Sequence, residues 1–170
     1  MRALQLLLAC LTAATLSGCA GYRLGPVGGG ESGTKTVEVL PFNNQTLQPR
    51  LGDALTQALR ERLQVDATYK LAGADAGDIT VTGVILSYRR DGLGYLKSDA
   101  STPQNFRIIM VVHVTARERA TGKLLLDRDI RGQGLVNVGS DLVSAERQAA
   151  PSIAADVAQS IVAQLADPAW

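Results

Sequence analysis

Two kinds of residue in this 170-residue chain stand where they could do chemistry: one cysteine and a scatter of arginines and lysines. The cysteine is Cys19, which closes the run Leu16-Ser17-Gly18-Cys19. A leucine, two small residues and a cysteine form a lipobox, the pattern at which a lipoprotein signal peptidase cuts. Cleavage before Cys19 leaves it as the first residue, with lipid on its sulfur and its amine. Arg2 and an apolar run over residues 3–15, interrupted by Gln5 and Thr12, supply the leader that this reading needs. Such a run suits a signal peptide and is too short to cross a bilayer comfortably. An ordinary secretory leader cut near Gly18 or Ala20 is the alternative.

The basic residues recur near predicted strand ends and loops: Arg89, Arg90, Lys97, Arg107, Arg117, Arg119, Lys123, Arg128 and Arg131. One reading makes them solvated strand faces interleaved with Glu118, Asp127 and Asp129. The other makes one end of the hairpins a set of donors to a phosphorylated lipid headgroup, for which the planar arginine fork is suited. Other chemistry is poorly supplied. His113 is the sole histidine and has no acid at ligand spacing, which favours a structural or surface role. No serine sits in a nucleophile elbow. The glycine-rich stretch from Gly28 to Gly33 neither follows a strand nor opens a helix, so it is no phosphate cradle. No pair of acids is set for general acid–base work, and the chain reads as a non-enzyme needing no cofactor and no metal.

Cysteine count and charge narrow the classes further. Cys10 lies within the leader and Cys19 is modified, so the mature chain has neither a free thiol nor a disulfide. Losing the leader removes Arg2, after which basic and acidic residues are equal in number. No global field gathers nucleic acid. Stability must come from an ordinary core, which about 150 residues supply as one domain. Three segments follow: a leader over 1–18, a lipidated glycine-rich tether over 19–35, and a folded domain over 36–170. Within the tether, Tyr22 and Leu24 could dock near the membrane.

The elements that must position these residues are legible from periodicity. Residues 36–40 alternate and are β-branched, predicting a strand ended by Pro41. Pro49 can open a helix with Leu51, Ala54, Leu55, Ala58, Leu59 and Leu63 on one stripe and Asp53, Gln57, Arg60 and Glu61 opposite. Residues 68–71 suggest a short strand or an extended entry, and 78–88 a long strand. In the long strand Ile79, Val81 and Ile85 share a face; Thr80, Thr82, Val84, Leu86 and Tyr88 take the other, whose apolar end should be covered. Residues 89–105, polar with Gly92, Gly94 and Pro103, read as a long hairpin loop. Strand 106–118 sets Phe106, Ile108, Met110, Val112 and Val114 against Arg107, Ile109, Val111, His113, Thr115 and Arg117. A turn over 120–123 leads to a return strand over 124–138, where Gly132 and Gly134 mark a bulge or a close backbone approach. Ser140 or Asp141 can cap a last helix with Ile153, Ala154, Val157, Ala158, Ile161, Val162 and Leu165 as its core stripe. Pro151 should kink that helix or begin it, and Asp167-Pro168 should stop it, leaving Trp170 exposed or loosely docked. The predicted class is α/β, a two-layer sandwich with two helices on one face of a mixed or antiparallel sheet of about four strands.

Taken in order, these stretches resemble the LPS-assembly lipoprotein family LptE. The resemblance runs through Cys19-Ala20-Gly21-Tyr22-Arg23-Leu24 and Val37-Glu38-Val39-Leu40-Pro41-Phe42-Asn43-Asn44-Gln45-Thr46. It continues through Leu51-Gly52-Asp53-Ala54-Leu55-Thr56-Gln57-Ala58-Leu59 and Asp78-Ile79-Thr80-Val81-Thr82-Gly83-Val84-Ile85. It implies an outer-membrane lipoprotein subunit of the LPS translocon that helps fold and plugs the LptD β-barrel and binds lipopolysaccharide. Ala20, being other than aspartate, agrees with the outer membrane. By topology, Arg89, Arg90, Arg117 and Lys123 are the nearest counterparts of the family's lipid-binding residues. The competing reading is a lipoprotein docked on another envelope machine, such as a peptidoglycan-synthase activator or a secretion-channel component.

Overall fold

The computed structural model describes residues 35–66, 68–96, 99–137 and 142–166. The leader, Cys19, the tether, Lys97, the caps Ser140 and Asp141, and the end from Asp167 to Trp170 lie outside the described residues.

Eight elements follow in order: β1 (Thr36–Val39), β2 (Asn43–Asn44), α1 (Leu51–Val65), β3 (Lys70–Leu71), β4 (Ile79–Leu96), β5 (Asp99–Glu118), β6 (Leu124–Asn137) and α2 (Leu142–Ala166). The sheet runs β3-β1-β4-β5-β6, with β2 pairing β4 further along its length. The β1, β2 and β3 pairings are parallel, whereas β4, β5 and β6 form an antiparallel meander. Both helices lie on one face, α2 against β6 and β5 and α1 against the β1–β3 side. The α/β sandwich is as predicted, but the sheet has six strands where about four were expected: β3 falls within the stretch 68–71 suggested as a short strand, and β2 is a two-residue piece too short to show periodicity.

The core is one cluster built from the stripes that the sequence predicts. Leu51, Leu55, Leu59 and Leu63 of α1 meet Ile153, Val157 and Ile161 of α2 over Val37, Ile79, Val81, Ile85 and the row Ile108, Met110, Val112, Val114 and Ala116. Burying each large aliphatic chain contributes about 1.5–3 kcal/mol. Helix α1 begins at Leu51 and not at Pro49, after Arg50 turns the chain with φ 62°.

The described residues of 89–105 are strand and not loop. β4 and β5 stay paired through Tyr95↔Pro103 and Leu96↔Asp99. β6 pairs β5 only up to Asn105↔Asn137, so among the described residues this end is a two-stranded ribbon. Pro103, lacking an N–H, is tolerated where no further strand needs one. A bulge between Ile85 and Ser87 makes Leu86 an extra residue and inverts the alternation beyond it. Tyr88 therefore lies opposite buried Met110, on the helix-covered face and not with Thr80 and Thr82 as predicted. Leu86 stays 42% exposed, so no described element of this chain covers the apolar end of that face.

Helix α2 runs unbroken through Pro151, although a kink or a start was expected there. Pro151 is exposed, and Ala145, Ala149 and Ala150 ahead of it pack on the core, which holds the first turns in place. Gly132 and Gly134 mark a close approach and no bulge. A Cβ on Gly132 would stand 2.3 Å from Val157 Cγ2, and one on Gly134 would stand 2.7 Å from Ile153 Cγ1.

The turn after β1 is similarly tight. The Phe42 amide donates to Thr56 Oγ1 at 3.0 Å, and Thr56 Oγ1 donates to the Gly52 carbonyl at 2.7 Å. Asn44 Oδ1 accepts from the Thr46 amide, and Asn44 Nδ2 donates to the Gln48 carbonyl. Buried Phe42 lies over Gly83, where a Cβ would come within 2.6 Å of its ring and 2.5 Å of the His113 carbonyl. Gly83→Ala should therefore cost about 1–3 kcal/mol, read as a lower urea midpoint at unchanged slope.

Candidate functional site

With both helices on one side, the other face of the meander is open among the described residues, and register decides what it displays. Along β5 it shows Arg107, Ile109, Val111, His113, Thr115 and Arg117. On β4 these stand opposite Asp91, Arg89, Ser87, Val84, Thr82 and Thr80. On β6, Arg107 to Thr115 stand opposite Leu135, Gln133, Arg131, Asp129 and Asp127. Ile109 and Val111 thus form an apolar floor with Arg89 on one flank and Arg131 on the other. These four, with Gln133 and Asp156, line a cleft of about 430 Å³. Val84, partly exposed Leu86 and 72% exposed Leu135 extend the apolar strip.

The rim is basic but partly neutralised. Arg89 Nε donates to Asp91 Oδ1 at 2.9 Å and Nη2 to Oδ2 at 3.3 Å. That fork holds the Asp91 carboxyl below the usual carboxylate range, helped by Arg107. Two arginines thus share one carboxylate. Among the described residues, Arg131 has no carboxylate partner.

The four basic residues singled out in the sequence do not form one patch. Arg89 belongs to the cleft. Arg90, one residue past it, faces the helices: its Nη1 stands 3.1 Å from Glu146 Oε1, off the line of a hydrogen bond, so the pairing is coulombic. Burial, then Glu146, pushes the neighbouring Tyr88 hydroxyl up to about 12, and that hydroxyl has no hydrogen-bond partner among the described residues. Arg117 is six residues along β5 from the near end of the cleft floor at Val111, about 20 Å at strand rise. Its Nη1 donates to the Gly122 carbonyl at 2.6 Å, beside Lys123 in the β5–β6 turn. Arg117 and Lys123 thus form a second basic group at the far end.

Arg119 closes that end. It ion-pairs with buried Glu38, donates through Nε to the Gly77 carbonyl at 2.9 Å and approaches Asp75 at 3.7 Å. Glu38 Oε1 also accepts from the Asp75 amide at 2.9 Å. Asp78 beside them grips the Thr36 amide and hydroxyl, which lowers its pKa.

His113 has acids that linear spacing did not show. Its Nδ1 lies 2.9 Å from Asp129 and its Nε2 lies 3.0 Å from Asp127, both from β6. The aspartates grip opposite sides of the ring, and no described group of His, Cys, Asp or Glu is set to hold a metal ion. Arg131, which lines the cleft, and Arg107, which stands opposite Asp91 beside it, appear in the sequence only as members of a scatter. The signal that selects them is β4–β5–β6 register.

The hydrogen bond to Asp129 and the charges of Asp127 and Asp129 raise the His113 pKa above 6.5. A raised folded pKa means that the pairing stabilises fully below 6.5 and fades as pH rises through the folded value. The stability difference between wild type and His113→Gln should shrink from acid to alkaline buffer in urea titrations, and the ring should titrate above 6.5 by NMR.

Comparison with known proteins bears on what this face meets. A family model described as LptE, lipopolysaccharide-assembly, matches residues 34–165. No curated protein matches the sequence. Among solved structures, protein CT253 of Chlamydia trachomatis is similar at 12% identity and a TM-score of 0.55, over 80% of this chain and 96% of that one. A minor lipoprotein of Acinetobacter baumannii is similar at 16% identity and a TM-score of 0.53, over 78% and 92%. At such identities these structures share the fold.

Proposed function

Since that model spans most of its length, the chain belongs to the LptE lipopolysaccharide-assembly family, and we propose that it acts there by binding and not by catalysis. In this reading it is an outer-membrane lipoprotein on the periplasmic side, acylated at Cys19 after removal of residues 1–18. It seats within and plugs the LptD β-barrel, assists folding of that barrel, and binds lipopolysaccharide during its assembly into the outer leaflet.

The observation that carries this reading is the open sheet face. A face of Val84, Leu86, Ile109 and Val111 edged by Arg89, Arg107 and Arg131 matches an amphiphile with phosphates at one end and acyl chains at the other. Arginine forks suit phosphate oxygens, and charge-assisted contacts of this kind are the strong ones. Arg117 and Lys123 then make a separate contact at the β5–β6 turn, while Arg90, paired with Glu146, positions α2 against β4.

Binding of the purified chain to lipopolysaccharide micelles tests the placement. Arg89→Glu with Arg107→Glu should weaken binding about tenfold or more, with the circular dichroism spectrum unchanged. A larger loss from Arg117→Glu with Lys123→Glu, and none from the first pair, moves the site to the turn. Co-purification with a large β-barrel tests the partner; recovery with a cell-wall synthase in its place rejects it. Anchoring is separately checked by Cys19→Ser, which should leave the membrane fraction and lose the acyl mass by mass spectrometry. Retention of both removes the lipobox reading.

A further inference from the structure

The two arginine flanks of the cleft are not equivalent. Arg131 has no carboxylate partner among the described residues, whereas the fork of Arg89 is already filled. Its Nε donates to one oxygen of Asp91 at 2.9 Å and its Nη2 to the other at 3.3 Å, the two-point geometry that an incoming phosphate would use. Side chains two residues apart on a strand share a face, and the Ile85/Ser87 bulge sets Arg89 and Asp91 together on the open one. Arg107 stands opposite Asp91, and the hydrogen bonds from Arg89 with the charges of both arginines keep its carboxyl ionised. The two side chains are 66% and 41% exposed. Exposed ion pairs of this kind are weakly held, and a stronger anion can displace them.

We propose that Asp91 is a built-in competitor for the ligand's phosphate: the phosphate takes the Arg89 fork only by displacing Asp91, and Asp91 returns to the fork to speed its release. The proposal rests on the cleft being the phosphate end of the site described above. Arg131, which carries no such competitor, offers the entering anion its first contact across the apolar floor. At Arg89 a phosphomonoester then has the advantage of charge, about −1.5 to −2 on three terminal oxygens against the single charge of a carboxylate. Asp91 has the advantage of place. It is joined to Arg89 through one intervening residue, so its effective concentration at the fork stays high however dilute the protein is. Once displaced, it also repels the bound phosphate beside it. Both effects weaken binding, and among variants of one site such changes fall mostly on the rate of leaving. A protein that passes its ligand on is served by a site that lets go.

Two ligands separate the competitor from the lipid: butyl phosphate, a soluble phosphomonoester, and lipopolysaccharide. Each is titrated calorimetrically into the full chain purified from membranes in non-ionic detergent. Asp91→Asn and Asp91→Ser should each bind both ligands about threefold to fivefold more tightly than the wild type, and release lipopolysaccharide correspondingly more slowly. In an Arg89→Gln background the gain should fall below about 1.5-fold, because the competitor has lost its fork. Asp53→Asn, which removes an equal charge from the exposed side of α1, should leave binding unchanged. A gain that survives intact with Arg89→Gln, or that Asp53→Asn reproduces, is general charge repulsion and overturns the proposal. Lipopolysaccharide bound equally or more weakly by folded Asp91 variants overturns the competitor and leaves the lipid reading standing. The expected gain for butyl phosphate, with no lipopolysaccharide bound by any variant, upholds the competitor and rejects the lipid as the source of its phosphate. Binding of neither ligand overturns both.

Discussion

Helix α2 presses on β6 where β6 has no side chains. Val157 and Ile153 occupy the space that Cβ atoms on Gly132 and Gly134 would need, so only these two positions of β6 can pass beneath the helix so closely. A slip of one residue would drive Arg131 and Gln133 into the core and turn Ile130 and Val136 to the open face. Register in β6 is thus fixed from the helix layer. Through β5 it dictates that Arg131 flanks Val111 and that Asp129 meets His113.

Two bulges separate what the sequence could tell from what it could not. Where alternation is uninterrupted, as over Ile108 to Val114, or where a stripe repeats at three and four, as in both helices, the buried face was legible residue by residue. At Leu86 one extra residue inverts the alternation, so Tyr88 and Arg90 turn towards α2 and Arg89 turns away. Near the β5–β6 turn a second irregularity, between Ala116 and Arg117, shifts β6 by one. Counting back from the turn without it would set His113 opposite Arg128 and not Asp129. The site was visible as a composition of arginines near strand ends, but its membership depended on these two offsets. The six-strand count was hidden for a different reason: a two-residue strand such as β2 takes its identity from its neighbours, not from a pattern.

The turn after β1 gains a physical account. Phe42 is held by its amide to Thr56 and lies over Gly83, and Gly52 lets the Phe42 carbonyl approach α1. Residues far apart in sequence are therefore needed together for one ring to be buried. The two basic groups follow a different logic, since they share the open face without touching one another. That separation suits a surface met by an elongated ligand or wall more than a pocket closing on a small molecule.

The Glu38–Arg119 pair has a consequence for the order in which the chain can assemble. Its members are 81 residues apart, whereas β4, β5 and β6 follow one another along the chain and can zip from more local contacts. Non-local pairings repay their loop-closure entropy only after the chain between them is ordered. Until the end of β5 is in place, Glu38 is a carboxylate that burial penalises, so the first strand in the sequence gains one of its holds from the far end of the meander.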